Sequence, residues 1–198
     1  MGELVFDIET QNTFQEVGSQ NPADLSISVV CAYDYGTDTY TSYREEELGK
    51  LWPLIDACDR IIGYNSIHFD MPLLEKYAGR KFSHIPHLDL LAKIKDTLGH
   101  RLKLDDVAKA TLNVAKSGHG LQAVEWYKTG EWEKIIKYCI DDVKITRDVY
   151  EFAKKNRQLF YPDFSGIKPF PIDVSTPALR SADAVSNSTP SISQMSLF

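Results

Sequence analysis

The segment LVFDIET, residues 4–10, closes an apolar run with two carboxylates, Asp7 and Glu9. Alternate side chains of a strand share a face, so Leu4, Phe6 and Ile8 point one way while Val5, Asp7 and Glu9 point the other. Burying two like charges side by side is costly and pushes one toward its neutral form, so something cationic should offset them. A turn-capping Asp7 beside a solvated Glu9 is the competing explanation, and it takes further acids to displace it. Two more places supply them. In IIGYNSIHFDMPLL a short strand leads through Asn65 and Phe69 into a helix whose first residues include Asp70. Helix polarity favours a carboxylate there, although taken alone Asp70 reads as an ordinary first-turn acid. In IIKYCIDDVKIT, Tyr138 and Asp142 stand at i and i+4 on one helix face. Asp141 points about 100° away, toward the surface. The surrounding Ile135, Ile136, Cys139, Ile140 and Val143 mark this helix as buried, where an acid and a phenol need a reason. The hard oxygens of clustered carboxylates suit Mg²⁺ or Mn²⁺.

The elements that must position these groups follow from periodicity. Residues 3–8, 26–34 and 38–43 alternate as strands, the last two joined by a Tyr-Gly-Thr turn. Residues 44–58 place Leu48, Leu51 and Ile55 on one helical stripe, and 60–65 form a short buried strand. Helical patterns then cover 71–77, 88–98 and 104–112, with a long one from 131 to about 160. A three-strand antiparallel meander feeding βα units predicts an α/β fold, a mixed sheet of antiparallel and parallel strands flanked by helices. There is no internal repeat.

Asp-x-Glu on the first strand, Asn-x-x-x-Phe-Asp after a later strand and Tyr-x-x-x-Asp on a late helix resemble the three exonuclease motifs of the DEDD superfamily, in that family's order, across about residues 1–160. The resemblance implies a ribonuclease H-like fold. The superfamily's histidine branch carries His five positions before the last acid; Lys137 stands there, and Tyr138 puts the chain in the tyrosine branch. LKLDDVAKATLN and YCIDDV also resemble exonuclease domains of DNA polymerases, with no polymerase following, so a free-standing nuclease domain is expected. By the resemblance, Asp7, Glu9, Asp70 and Asp142 hold two Mg²⁺ or Mn²⁺ ions, and Tyr138 orients the attacking water. A phenol of ordinary pKa is a poor base, so losing its hydroxyl should cost less than losing Asp7. The resemblance further implies that Thr10 and its neighbours grip the terminal sugar, that Asn65 ties the motif loop together, and that Phe69 contacts a base or simply packs. The implied reaction is 3′→5′ removal of nucleoside 5′-monophosphates from single strands.

Composition sets limits on this. Of 198 residues 43% are apolar, enough for one domain with a core, and the formal net charge of −6 argues against a broadly basic nucleic-acid surface. Lys93, Lys95, Arg101 and Lys103 form a basic cluster around the Leu98 to Leu104 connection, either as a solvated face or as an edge that follows phosphates. Cys31, Cys58 and Cys139 form no short pair and read as reduced thiols, and no segment approaches a membrane span, so a cytoplasmic protein is expected. His84 and His87 have a metal-like spacing, but Pro86 breaks the helix that would align them; His68 and His119 read as loop residues. Trp126, Tyr127 and Trp132 read as packing for the end of the long helix.

From Pro162 onward the chain holds five of its nine prolines and many serines, which predicts a flexible linker over 162–193 after an exonuclease domain of 1–161. Gln194, Met195, Ser196, Leu197 and Phe198 resemble the pentapeptide by which bacterial proteins bind the β sliding clamp, with Met195 in place of the more usual leucine. That resemblance implies a clamp-tethered exonuclease acting on DNA in replication or repair. An exoribonuclease or oligoribonuclease, and a clamp-bound accessory protein without catalysis, stand as alternatives.

Overall fold

The computed structural model describes residues 2–114 and 120–175. Its centre is β1 (Glu3–Thr10), which pairs antiparallel with β2 (Ile27–Asp34) and parallel with β4 (Arg60–Gly63). β3 (Thr39–Arg44) adds antiparallel to β2, and β5 (His87–Asp89) adds parallel to β4, giving the order β3-β2-β1-β4-β5. The turn between β2 and β3 is fixed by Asp34, whose carboxylate accepts from the Gly36 N–H at 2.8 Å and the Thr37 hydroxyl at 3.0 Å. This is the expected mixed ribonuclease H-like sheet.

Helices cover both faces, and strand alternation decides which side chains meet them. Leu4, Phe6 and Ile8 pack with α2 (Trp52–Ala57) and α3 (Asp70–Ala78) through Ile55, Leu73 and Leu74. Val5, Val29, Cys31 and Ile62 pack against α4 (Leu90–Leu98), α5 (Leu104–Leu112), α6 (Gly120–Lys128) and α7 (Trp132–Asn156). Asp7 and Glu9 share Val5's face, so the strand aims both acids at α7. The four-residue helix α1 (Phe14–Val17) follows β1, its Thr13 and Glu16 forming a reciprocal cap. Among the described residues no helix is long and apolar enough to cross a membrane.

The expected helix over 44–58 divides into a 3-10 segment, Glu45–Lys50, and α2, because Pro53 suits the start of a helix and not its interior. The expected helix over 88–98 begins only at Leu90, after β5; three buried residues are too few to show a period. α6 was not anticipated at all. The linker expected from Pro162 does not hold for residues 162–175. α7 stops at Asn156, with Arg157 left-handed at φ 54, and β6 (Gln158–Asp163) turns back into β7 (Gly166–Pro171). Pro169 and Pro171 are tolerated because a two-stranded ribbon leaves outer edges that need no N–H donor. Leu159, Phe170, Ile172 and Val174 are buried, and Thr111 on α5 donates its hydroxyl to Phe160 O. Residues 194–198 lie outside the described residues.

Candidate active site

The structure brings the sequence-distant acids into one cleft of about 870 Å³, lined by Asp7, Glu9, Asp70, Tyr138 and Asp142 together with Thr10, Asn65 and Phe69. Each comes from an element end or face that the fold fixes. Asp7 stands opposite Cys31 on β2 and Glu9 opposite Val29, with an irregularity in the pairing between Glu9 and Thr10 that closes the strand. α7 crosses the same sheet face and presents Tyr138 and Asp142 one turn apart, each 4% exposed. Carboxylate oxygens of Asp7, Glu9 and Asp142 lie within 4.8 Å of one another. Asp70 stands outside that tightest group, at the start of α3.

Asp70 and Asp7 nonetheless feel each other. Burial pushes the Asp70 carboxyl well above the ordinary carboxylate range, and the charges of Asp7 and then Asp89 push the same way, against backbone hydrogen bonds at Asp70 and Ile8. Concentrated negative charge of this kind, with hard oxygen donors on three separate elements, fits divalent cations such as Mg²⁺ or Mn²⁺. Burial also raises the Tyr138 phenol far above its usual range, with further contributions from Asp142, Glu9 and Asp7, so this hydroxyl keeps its proton. Trp126 on α6 meets the Tyr138 ring edge-on at 6.1 Å, and the Cys139 thiol donates to the Asp7 carbonyl at 3.4 Å, seating α7 against β1. Tyr127 meets Trp132 edge-on, and Arg44 lies 4.4 Å over the Trp132 ring, so these aromatics pack the head of α7. Asp141 pairs outward with Lys137 at 2.6 Å.

The turn after β4 is held by a residue that sequence reasoning missed. Asp89 accepts from the N–H groups of Asn65 at 2.8 Å and Ile67 at 3.0 Å, while also capping α4 through Leu91 and Ala92. It thereby allows Asn65 its left-handed backbone, φ 66. Its available signal was a helix-capping acid directly before LLAKI. Ser66 hydrogen-bonds the buried His87 at 2.8 Å, and a Cβ on Gly63 would come within 2.2 Å of that hydroxyl, so the turn needs glycine. His87 is thus a packed residue of β5, while His84 and His68 are exposed; His119 lies outside the described residues. Phe69 meets Phe14 edge-on at 6.0 Å inside the cleft, and the Thr10 hydroxyl donates to Asn12 O.

A family model described as RNase_H superfamily matches residues 4–154. Among solved structures, the family B DNA polymerase from the hyperthermophilic archaeon Pyrobaculum calidifontis superposes with a TM-score of 0.60 at 19% identity, over 77% of this chain. The chain spans only 24% of that polymerase, and at this identity the likeness establishes the fold. No curated protein matches this chain.

Proposed function

This chain belongs to the RNase_H superfamily, and from that premise we propose that it is a metal-dependent 3′→5′ exonuclease that removes nucleoside 5′-monophosphates from single-stranded DNA ends. The observation that carries this is the convergence of Asp7, Glu9 and Asp142 within 4.8 Å, in a cleft shared with Asp70 and Tyr138. Two Mg²⁺ or Mn²⁺ ions held by Asp7, Glu9, Asp70 and Asp142 supply, when bound, neutralisation of phosphate charge and a more acidic attacking water.

The remaining work belongs to the chain's own side chains. Tyr138, protonated and braced by Trp126, orients the water without taking its proton. Thr10 and Asn65 hold the terminal nucleotide through hydrogen bonds, and Phe69 offers an apolar face to its base. Likeness in fold to a DNA polymerase supports DNA over RNA. The resemblance of Gln194–Phe198 to a clamp-binding pentapeptide supports recruitment to the β sliding clamp in replication or repair.

Incubating the protein with 5′-labelled DNA and RNA single strands of one sequence, with Mg²⁺, Mn²⁺ or chelator, tests the reading. A ladder shortening from the 3′ end of DNA, absent with chelator and in Asp7→Asn, is expected. Faster shortening of RNA would replace the substrate, and inertness toward both would overturn the enzyme assignment.

A further inference from the structure

The cleft holding the acids opens into a second arm of different chemistry. A groove of about 920 Å³ runs from Asp7 and Tyr138 past Asn65 to Arg101, Lys103 and Gln122. Asp7, Tyr64, Asn65 and Tyr138 line both arms, so the two meet at Asp7 and Tyr138. The first arm is walled by Phe14, Leu25, Phe69 and Val124 and has no lysine or arginine among its described lining residues. The second carries a guanidinium and an ammonium group. Beyond its acids, an arm with apolar walls and no cation suits a base and sugar, whereas fixed cations suit phosphates.

The backbone that carries these exposed cations is held in place. The connection between α4 and α5 is fastened to the turn after β4 at two successive residues: the Arg101 Nη2 donates to Asn65 Oδ1 at 2.7 Å, and the Tyr64 hydroxyl donates to Leu102 O at 2.9 Å. With Oδ1 engaged by Arg101, the Asn65 amide is oriented to offer its NH₂ donors to a substrate oxygen. Lys93 and Lys95 do not line the groove, and the Lys93 charge bears instead on Asp173, in a separate pocket beside Arg60. Asp105 and Asp106, in the first turn of α5, line the groove too, so its cationic stretch is short.

Resting on the exonuclease reading, we infer that the Arg101–Lys103 arm receives the phosphate next to the scissile one, on the strand leading to the reacting end, while the apolar-walled arm takes the terminal nucleoside. Lys103 contacts that phosphate directly. Arg101 is a positioning residue that sets the Asn65 amide and lends the groove its charge.

The test compares a single-stranded DNA decamer with the dinucleotide TpT, which has no phosphate beyond the scissile one. For Lys103→Ala, the loss in kcat/KM should be about tenfold larger on the decamer than on TpT and should lie in KM, whereas Arg101→Ala, which also frees the Asn65 amide, should weaken TpT as well; the decamer's log–log salt slope should be shallower by about 0.7 in either variant. Arg101→Lys should restore the salt slope but not KM, because an ammonium on its different stem keeps the charge without placing the Nη2 donor that engages Asn65 Oδ1. Equal losses of Lys103→Ala on the two substrates, or none on the decamer, would overturn the inference. Should the wild-type protein cleave neither, the exonuclease reading fails by itself. Fluorescence anisotropy of the labelled decamer in EDTA then still decides the groove, since unchanged affinity in both alanine variants would refute it.

Discussion

A carboxyl that is 4% exposed, beside the charges of Asp7 and Asp89, binds its proton more tightly in the folded chain than in the unfolded one. The sign of the consequence follows from linkage. With the folded pKa raised above the ordinary 3.8, ionised Asp70 opposes folding at neutral pH, and that opposition is relieved as pH falls through the raised value. Asp70→Asn removes the charge while keeping an oxygen for the backbone donors. In EDTA at pH 7 the variant should therefore melt higher than the wild type, by about 2–4 °C for each kcal/mol relieved. The gap should close in acid, and Mg²⁺ should raise the wild-type melting temperature more than the variant's. Calorimetry across pH, with and without Mg²⁺, checks this; a variant that melts lower in EDTA would show that Asp70 is held by compensating contacts instead. The acids themselves were legible because two charges on one strand face, and a phenol four residues before an acid on a buried helix, are out of place in a core. Asp89 was not, since accepting four backbone N–H groups leaves no mark in sequence beyond a helix-capping acid.

Among the elements, β6 and β7 carry stability that composition concealed. Leu159 at 0% exposure and Phe170 at 4% complete the core on the α7 face, and Thr111 exchanges hydrogen bonds with the Phe160 backbone. Truncating a buried phenylalanine costs about 3–5 kcal/mol, so Phe170→Ala should lower the melting temperature by about 6–20 °C. A chain stopped at residue 161 should lose at least as much. Thermal unfolding followed by circular dichroism measures both, and an unchanged midpoint for either would mean the ribbon is a passive flap. The long helix α7 was readable because 25 residues repeat one apolar stripe. The ribbon was not: Pro169 and Pro171 look like breakers until pairing shows that their positions face an open edge. β5 escaped for a different reason, since three residues cannot display an alternation.

At the scale of the whole molecule, charge works against the proposed substrate. A chain of net charge −6 repels a polyanion, and affinity for single strands grows mainly with the number of phosphates neutralised. Arg101 and Lys103 are the only lysine or arginine side chains among the described residues lining the two arms, which sets a ceiling of about two such contacts near the acids. Binding that weak at physiological salt leaves the enzyme mostly off its substrate, unless another contact keeps it near DNA. The proposed recruitment through residues 194–198 would answer that need, because a second attachment converts encounter into an intramolecular event and can strengthen overall engagement by about 10²–10⁴ without any new contact at the cleft. Deleting Gln194–Phe198 should therefore abolish capture by immobilised sliding clamp and slow degradation of clamp-loaded DNA by at least about tenfold at 150 mM salt. Turnover of a free oligonucleotide should stay within about twofold, the two attachments being independent. Equal rates on clamp-loaded DNA with and without the pentapeptide would place the missing affinity somewhere other than the clamp.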